Sequence, residues 1–195
     1  ELGPLQVGRV LPNASGQAQV VREPLRQPIT LQDLLRHTAG ITYGVPGSTN
    51  PLKQAYIDAR LGHRNDSNAQ FVTKLSQLTL LDQPGTVWEY GMSTDVLGRV
   101  VEVVSGQPLA DFVREHIPRP LQLPDTAFHA PAHAADRSAW PQPEGAQLQL
   151  PPIPAVTAEM AFQSGGGGMV STASDYARLC LFWRNLGVLD GVRLL

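Results

Sequence analysis

Few residues in this chain are placed to do chemistry, and one stretch gathers several of them: "TVWEYGMSTDVLGRVVEVVSG", Thr86 to Gly106. Tyr90 stands where a loop runs into a patterned helix. The positive end of a helix macrodipole there favours a phenolate over a phenol, so Tyr90 could pass protons. The same spacing allows a plainer role, with Trp88 and Tyr90 as aromatic anchors that fasten the start of the helix to the core. Ser93, in "GMSTD", is the serine with the most nucleophile-like surroundings. A nucleophile elbow needs G-x-S-x-G, however, and Asp95 stands where its second glycine would allow the strained turn. The better expectation for Ser93 is an N-cap for a helix beginning at Thr94.

The remaining candidates are weaker. His37 falls in the last turn of a short helix, where an imidazole can cap free carbonyls. His63, His116, His129 and His133 lack the H-E-x-x-H spacing of a metal site, and Cys180 is the single cysteine, so neither a metal centre nor an intrachain disulfide is expected. "SGGGGMVST", Ser164 to Thr172, permits close backbone approach and points amides toward a helix start, but no G-K-[ST] follows to make it a phosphate loop. On spacing alone it is either a hinge or a wall beside a substrate. No cofactor is implied.

The elements that must carry these residues follow from periodicity. Residues 1–28, punctuated by Pro4, Pro12, Pro24 and Pro28, read as extended or looped. Thr30 and Asp33 form a capping box for a short helix with a leucine stripe, Leu31, Leu34 and Leu35, which Gly40 is placed to end. Ser67 and Gln70 form a second box before Phe71, Val72, Leu75 and Leu78. In the quoted helix Val96, Leu97, Val100, Val101, Val103 and Val104 make an apolar stripe, Asp95, Arg99 and Glu102 a charged one, and Gly106 the C′ stop. Pro108 opens a further helix through Leu109, Phe112 and Val113, closed by Pro118 and Pro120. From Phe128 to Gln163 prolines dominate, with one strand-like alternation over Gln147, Leu148, Gln149 and Leu150; so long an irregular stretch suggests a lid or functional loop. Thr172 then caps a helix with Asp175 at N3, burying Tyr176, Leu179, Cys180 and Trp183.

At 195 residues, 42% hydrophobic and 16% charged, the composition is that of a globular domain. A net charge of −2 with scattered cations gives no footprint for nucleic acid or an anionic membrane, and no apolar run approaches the roughly 20 residues that span a bilayer. Nothing in the chain fixes its compartment. It opens without Met at Glu1 and closes on "GVRLL", so it reads as a segment of something longer.

Taken in order, "ITLQDLLRHTAGI" (29–41), "QPGTVWEYGMSTDVLGRVVEVVSGQPLADFVREHIPRPLQLPDT" (83–126) and "SGGGGMVSTASDYARL" (164–179) closely resemble the serine β-lactamase and penicillin-binding-protein-like family, in its class C-like esterase branch. The resemblance implies an α/β (α+β) fold, an antiparallel sheet flanked by helices beside an all-helical region. Residues 29–126 map onto that helical region, 127–163 onto a Pro-rich loop region, and 164–195 onto a Gly-rich loop and a helix leading back to a sheet expected to be mostly missing here. It also implies acyl transfer, in which a serine of S-x-x-K attacks a carbonyl while its lysine and a tyrosine move protons. Tyr90 matches that tyrosine, and Met92, Gly166, Gly167 and Gly168 take substrate-binding positions.

Several family features are absent. The only lysines, Lys53 and Lys74, follow Asn50 and Phe71 at the S-x-x-K spacing, and no K-T-G or H-x-G occurs. Met92 replaces the Asn of the lactamase tyrosine motif, which favours an ester or acyl substrate over a β-lactam. Both oxyanion donors of the family fall outside the chain, so residues 1–195 alone are expected to be inactive. An apolar face left uncovered would favour self-association. A non-catalytic binding or regulatory module of the same fold is the alternative.

Overall fold

The structure is a computed structural model that describes residues 2–139 and 156–195. The chain divides into two compact units, residues 1–109 with 161–167, and residues 110–160 with 168–195.

In the first unit the proline-punctuated N-terminus is extended, and pairs with itself as a hairpin. Strands β1 (Gln6–Pro12) and β2 (Ala18–Pro24) pair antiparallel, and β3 (Thr79–Leu80) adds parallel to β1, giving the order β2-β1-β3. Pro12 and Pro24 lie at strand ends, where a missing donor costs little. The Asn13 side chain closes the turn by accepting from the Ser15 and Gln17 amides at 3.0 and 2.9 Å.

Helices α1 (Leu31–Arg36), α2 (Pro51–Asp58), α3 (Asn68–Leu75) and α4 (Ser93–Ser105) complete this unit. Both capping boxes form, Thr30 with Asp33 and Ser67 with Gln70. Gly40 does not end α1. The helix stops at Arg36 because His37 itself takes the left-handed conformation (φ 56°), while Gly40 lets the backbone press on Asp82, whose carbonyl oxygen would be 2.3 Å from a Cβ. Of the leucine stripe only Leu34 is buried; Leu31 and Leu35 face out. The core gathers Val7, Leu34, Ile41, Tyr56, Phe71, Val72, Leu75, Leu80 and Val96 from every layer.

Two expectations for α4 are corrected. Ser93 is not its N-cap: Met92 holds that position without a side-chain bond, and Ser93 is the first helical residue, fully buried. Asp95 is not on the charged face either. Arg99 and Glu102 pair at 3.0 Å, whereas Asp95 is buried and bonds to the glycine run. Gly106 ends α4 in the left-handed conformation as expected (φ 71°).

Helix α5 (Leu109–His116) leads into the second unit, followed by a 3₁₀ turn (Ala132–Arg137), α6 (Ala173–Arg184) and the pair β4 (Val188–Leu189) and β5 (Val192–Arg193). Thr172 caps α6 by accepting from the Asp175 amide at 3.3 Å. Its buried face is Asp175 and Phe182, with Leu179 partly covered; Tyr176, Cys180 and Trp183 are exposed, the reverse of the expected burial. Asp175 explains the rotation, since its Oδ2 accepts from the Asp125 amide and the Thr126 hydroxyl at 2.8 and 2.9 Å. The alternation over 147–150 lies outside the described residues. Among those described, no helix is long and apolar enough to cross a membrane.

Candidate active site

The loop before α4 is held by the residues that end α1, which are distant from it in sequence. The Gly85 amide donates to the Thr38 carbonyl at 2.8 Å, the Glu89 amide to the His37 carbonyl at 2.9 Å, and the Gly91 amide reaches His37 Nδ1 at 3.4 Å. Gly91 is needed for this fit: a Cβ there would stand 2.3 Å from the Ile41 carbonyl oxygen and 2.6 Å from Thr42 Cα. The Glu89 carboxylate accepts from Thr42 Oγ1 and from Lys53 Nζ, each at 2.8 Å. Burial alone would raise the Glu89 carboxyl, but the Lys53 and Thr42 hydrogen bonds with the Lys53 charge lower it below its usual range.

This clamp leaves Tyr90 on the surface. Tyr90 is 57% and Trp88 66% exposed, so they do not anchor the helix in the core. Tyr90 is ringed by aromatics instead, with centroids 4.8 Å from His37, 5.4 Å from Tyr43 and 6.2 Å from a stacked Trp88. Its phenol is thus accessible while the backbone on either side of it is fixed.

Gly166 borders this cluster through Tyr43. The buried Asp95 carboxylate accepts the Ser164 hydroxyl through Oδ1 and the Gly166 amide at 3.4 Å, tying the glycine run to α4. A Cβ on Gly165 would lie 2.1 Å from the Thr94 carbonyl oxygen; one on Gly166 would meet Thr94 Oγ1 at 2.7 Å and Tyr43 Oη at 3.5 Å. Gly165 is required by backbone packing, whereas a Cβ on Gly166 would meet side-chain atoms of Thr94, Asp95 and Tyr43. Gly167 is different, because a Cβ there would meet nothing within 4 Å. Gly168 adopts φ 81° and belongs to the second unit. Met92 packs against the first unit's core.

The nucleophile-elbow reading of Ser93 fails on burial, since its Oγ has no access to solvent and no hydrogen-bond partner. Periodicity missed Tyr43 and the inward turn of Asp95. Burial, the Asp95 carboxylate and Tyr90 together push the Tyr43 phenol up to about 12. Among the described residues no group of His, Cys, Asp and Glu is placed to hold a metal ion.

Over 190 residues the chain is 33% identical to Protein Rv1367c of Mycobacterium tuberculosis, covering 95% of this chain and 46% of that protein. It is 30% identical over 190 residues to esterase EstB of Burkholderia gladioli, covering 88% and 48%. The solved structure of EstCE1, a hydrolase with promiscuous acyltransferase activity, superposes with a TM-score of 0.63 at 27% identity, covering 98% of this chain and 51% of that one. The chain thus spans about half the length of the relatives it matches. The family model for Beta-lactamase matches residues 6–194, nearly the whole sequence, and the chain belongs to that family of serine hydrolases and acyltransferases.

Proposed function

We propose that this chain supplies the proton-transfer residue and part of the substrate wall of a serine acyl hydrolase that works through a covalent acyl-enzyme. The observation that carries the reading is the exposed Tyr90 phenol, fixed by the Gly91–His37 clamp in a chain of this family. The serine of S-x-x-K and its lysine lie outside residues 1–195. In the acylation step the serine oxygen bonds to the substrate carbonyl carbon while Tyr90 takes the serine proton; Tyr90 then returns that proton to the departing alcohol oxygen as the ester C–O bond breaks. A water attacks the acyl-enzyme in the reverse sense and releases the acid. Met92 in place of an amide side chain, and relatives described as an esterase and a hydrolase with acyltransferase activity, favour esters or related acyl compounds as substrates.

Two measurements test this. Residues 1–195 alone are expected to show no labelling by a serine-directed fluorophosphonate and no hydrolysis of p-nitrophenyl butyrate. With the flanking coding sequence restored both appear, and Tyr90→Phe lowers kcat by about 10²- to 10⁴-fold. Full turnover in Tyr90→Phe would sink the assignment. Absence of S-x-x-K from the flanking sequence would favour the alternative, a binding or regulatory module that keeps the pocket without a nucleophile.

A further inference from the structure

Tyr43 is held as firmly as Tyr90, and by the same contacts. On its N-terminal side, Ile41 and Thr42 are buried and in close approach to Gly91. On its C-terminal side, Gly44 adopts φ 77° and presses on α2, where a Cβ would stand 2.6 Å from the Lys53 carbonyl oxygen. Thr42 is bonded to Glu89, the residue next to Tyr90. The Tyr43 backbone is therefore fixed on both sides, and its ring meets Tyr90 at 58° with centroids 5.4 Å apart. Its hydroxyl points at the glycine run: Tyr43 Oη and Asp95 Oδ2 are each 3.5 Å from the point where a Gly166 Cβ would be.

We propose that Tyr43 is a positioning residue for Tyr90: its phenolic O–H donates to the Tyr90 oxygen when that oxygen is negatively charged, holding the proton-transfer atom beside the glycine run. The inference rests on the acyl-hydrolase reading of Tyr90. For this role Tyr43 must keep its own proton while its neighbour loses one. Burial, then the Asp95 carboxylate, then Tyr90 itself hold the Tyr43 phenol up at about 12, so Tyr43 remains a donor through the neutral range. The groups facing the pair are the His37 imidazole against Tyr90 and the Asp95 carboxylate near Tyr43. A donor to the charged form of a base favours that form, and hydrogen bonds to charged groups are the stronger ones.

The test is Tyr43→Phe, which keeps the ring, in the enzyme carrying its nucleophile. Loss of a hydrogen bond to a charged oxygen is expected to lower kcat by about 10- to 100-fold with KM little changed, and to move the rising limb of the kcat–pH profile to higher pH. A merely structural Tyr43 would lower the melting temperature and leave that limb in place, which overturns the proposal. So does unchanged kcat in Tyr43→Phe while Tyr90→Phe is inactive. Full activity in Tyr90→Phe removes the underlying function instead, so the two failures are distinguishable. A second measurement needs no turnover: with tyrosine 13Cζ labels in the 195-residue chain, Tyr43→Phe is expected to raise the titration midpoint of Tyr90. An unmoved midpoint overturns the proposal.

Discussion

The two compact units differ in how they close their interiors. Described residues of the first assemble a core in which Ile41, Phe71, Leu75 and Leu80 are almost wholly buried, fed by hairpin, helices and loop alike. The described core of the second is Leu121, Leu123, Phe182 and Leu189, next to an open, mainly apolar cavity of about 500 Å³ lined by Val113, Ile117, Met169 and Trp183 among others. Tyr90, Tyr43 and Asp95 all belong to the first unit. In the proposed function the proton-transfer residue is therefore carried on the surface by loops whose Ile41 and Thr42 contacts rest in the filled core.

The largest expected effect tests the contrast directly. Phe71→Ala removes a ring with no exposure that packs against Phe162 at 5.2 Å, and should destabilise the first unit by about 3–5 kcal/mol. Phe182→Ala, beside an open cavity, should fall at the low end of the same range, about 3 kcal/mol, because cavity linings that already lack partners lose fewer contacts. Urea unfolding of both variants, followed by circular dichroism, measures the two; equal losses would break the comparison.

Next in size is a contrast within four consecutive glycines. Gly165→Ala forces a Cβ onto the Thr94 carbonyl and should cost about 1–3 kcal/mol, whereas Gly167→Ala enters open space and should stay within about 0.5 kcal/mol. If Gly167 borders a bound acyl group, its variant shows a raised KM at unchanged melting temperature. A substantial thermal loss in Gly167→Ala would contradict the open space around it.

How far the sequence reveals this arrangement depends on the range of the interactions involved. Capping boxes join residues three apart, so Thr30–Asp33, Ser67–Gln70 and the Thr172 cap are readable as spelled. The α/β class and the family follow from three motifs in order. The hairpin is obscured because its prolines read as breakers until their places at strand ends are known. Asp95 is obscured because its partner, Ser164, is 69 residues away, and helical periodicity assigns an aspartate to the solvent face. Helix α6 carries apolar residues on two faces, so pattern alone cannot say which is buried; Asp175, bonded to Asp125 and Thr126, decides it. Tyr43 has no spacing signal at all, since its meaning comes from the loop 47 residues later that folds over it.

A smaller effect concerns pH. Asp33 is lowered by the Thr30 hydroxyl, and Glu89 is lowered because its Lys53 and Thr42 bonds outweigh burial. For a carboxyl with a folded pKa below its unfolded value, the stabilisation is complete above the unfolded pKa, about 4 for these groups, and is lost as pH falls through the folded one. Asp82 acts in the opposite sense: burial and the Glu89 charge raise it, so acidification relieves a cost. The net expectation is a melting temperature nearly flat from pH 7 to about 5 and falling below about 4. Glu89→Gln should soften that fall by about 1 kcal/mol, since its ion pair is only partly buried. A fall of unaltered depth in Glu89→Gln would remove this clamp from the account.

The smallest effect on folding is expected on the outer face of α6, and there the units should part company most clearly. Tyr176 and Trp183 are 63% and 59% exposed on one side of the helix, so Tyr176→Gln should change stability by no more than about 0.5 kcal/mol. Trp183→Gln should cost somewhat more, because the indole meets the Phe182 ring edge-on at 5.3 Å. Yet Trp183 also lines the apolar cavity, and exposed apolar surface of this kind drives association between copies of a chain. Sedimentation equilibrium of the 195-residue chain should therefore show concentration-dependent self-association that the double variant weakens, while Leu31→Gln and Leu35→Gln on α1 test whether the first unit's exposed leucines contribute. A monodisperse monomer at high concentration would mean that exposed apolar area in the second unit is too dispersed to act as a surface, and the difference between the units would then be one of core size alone.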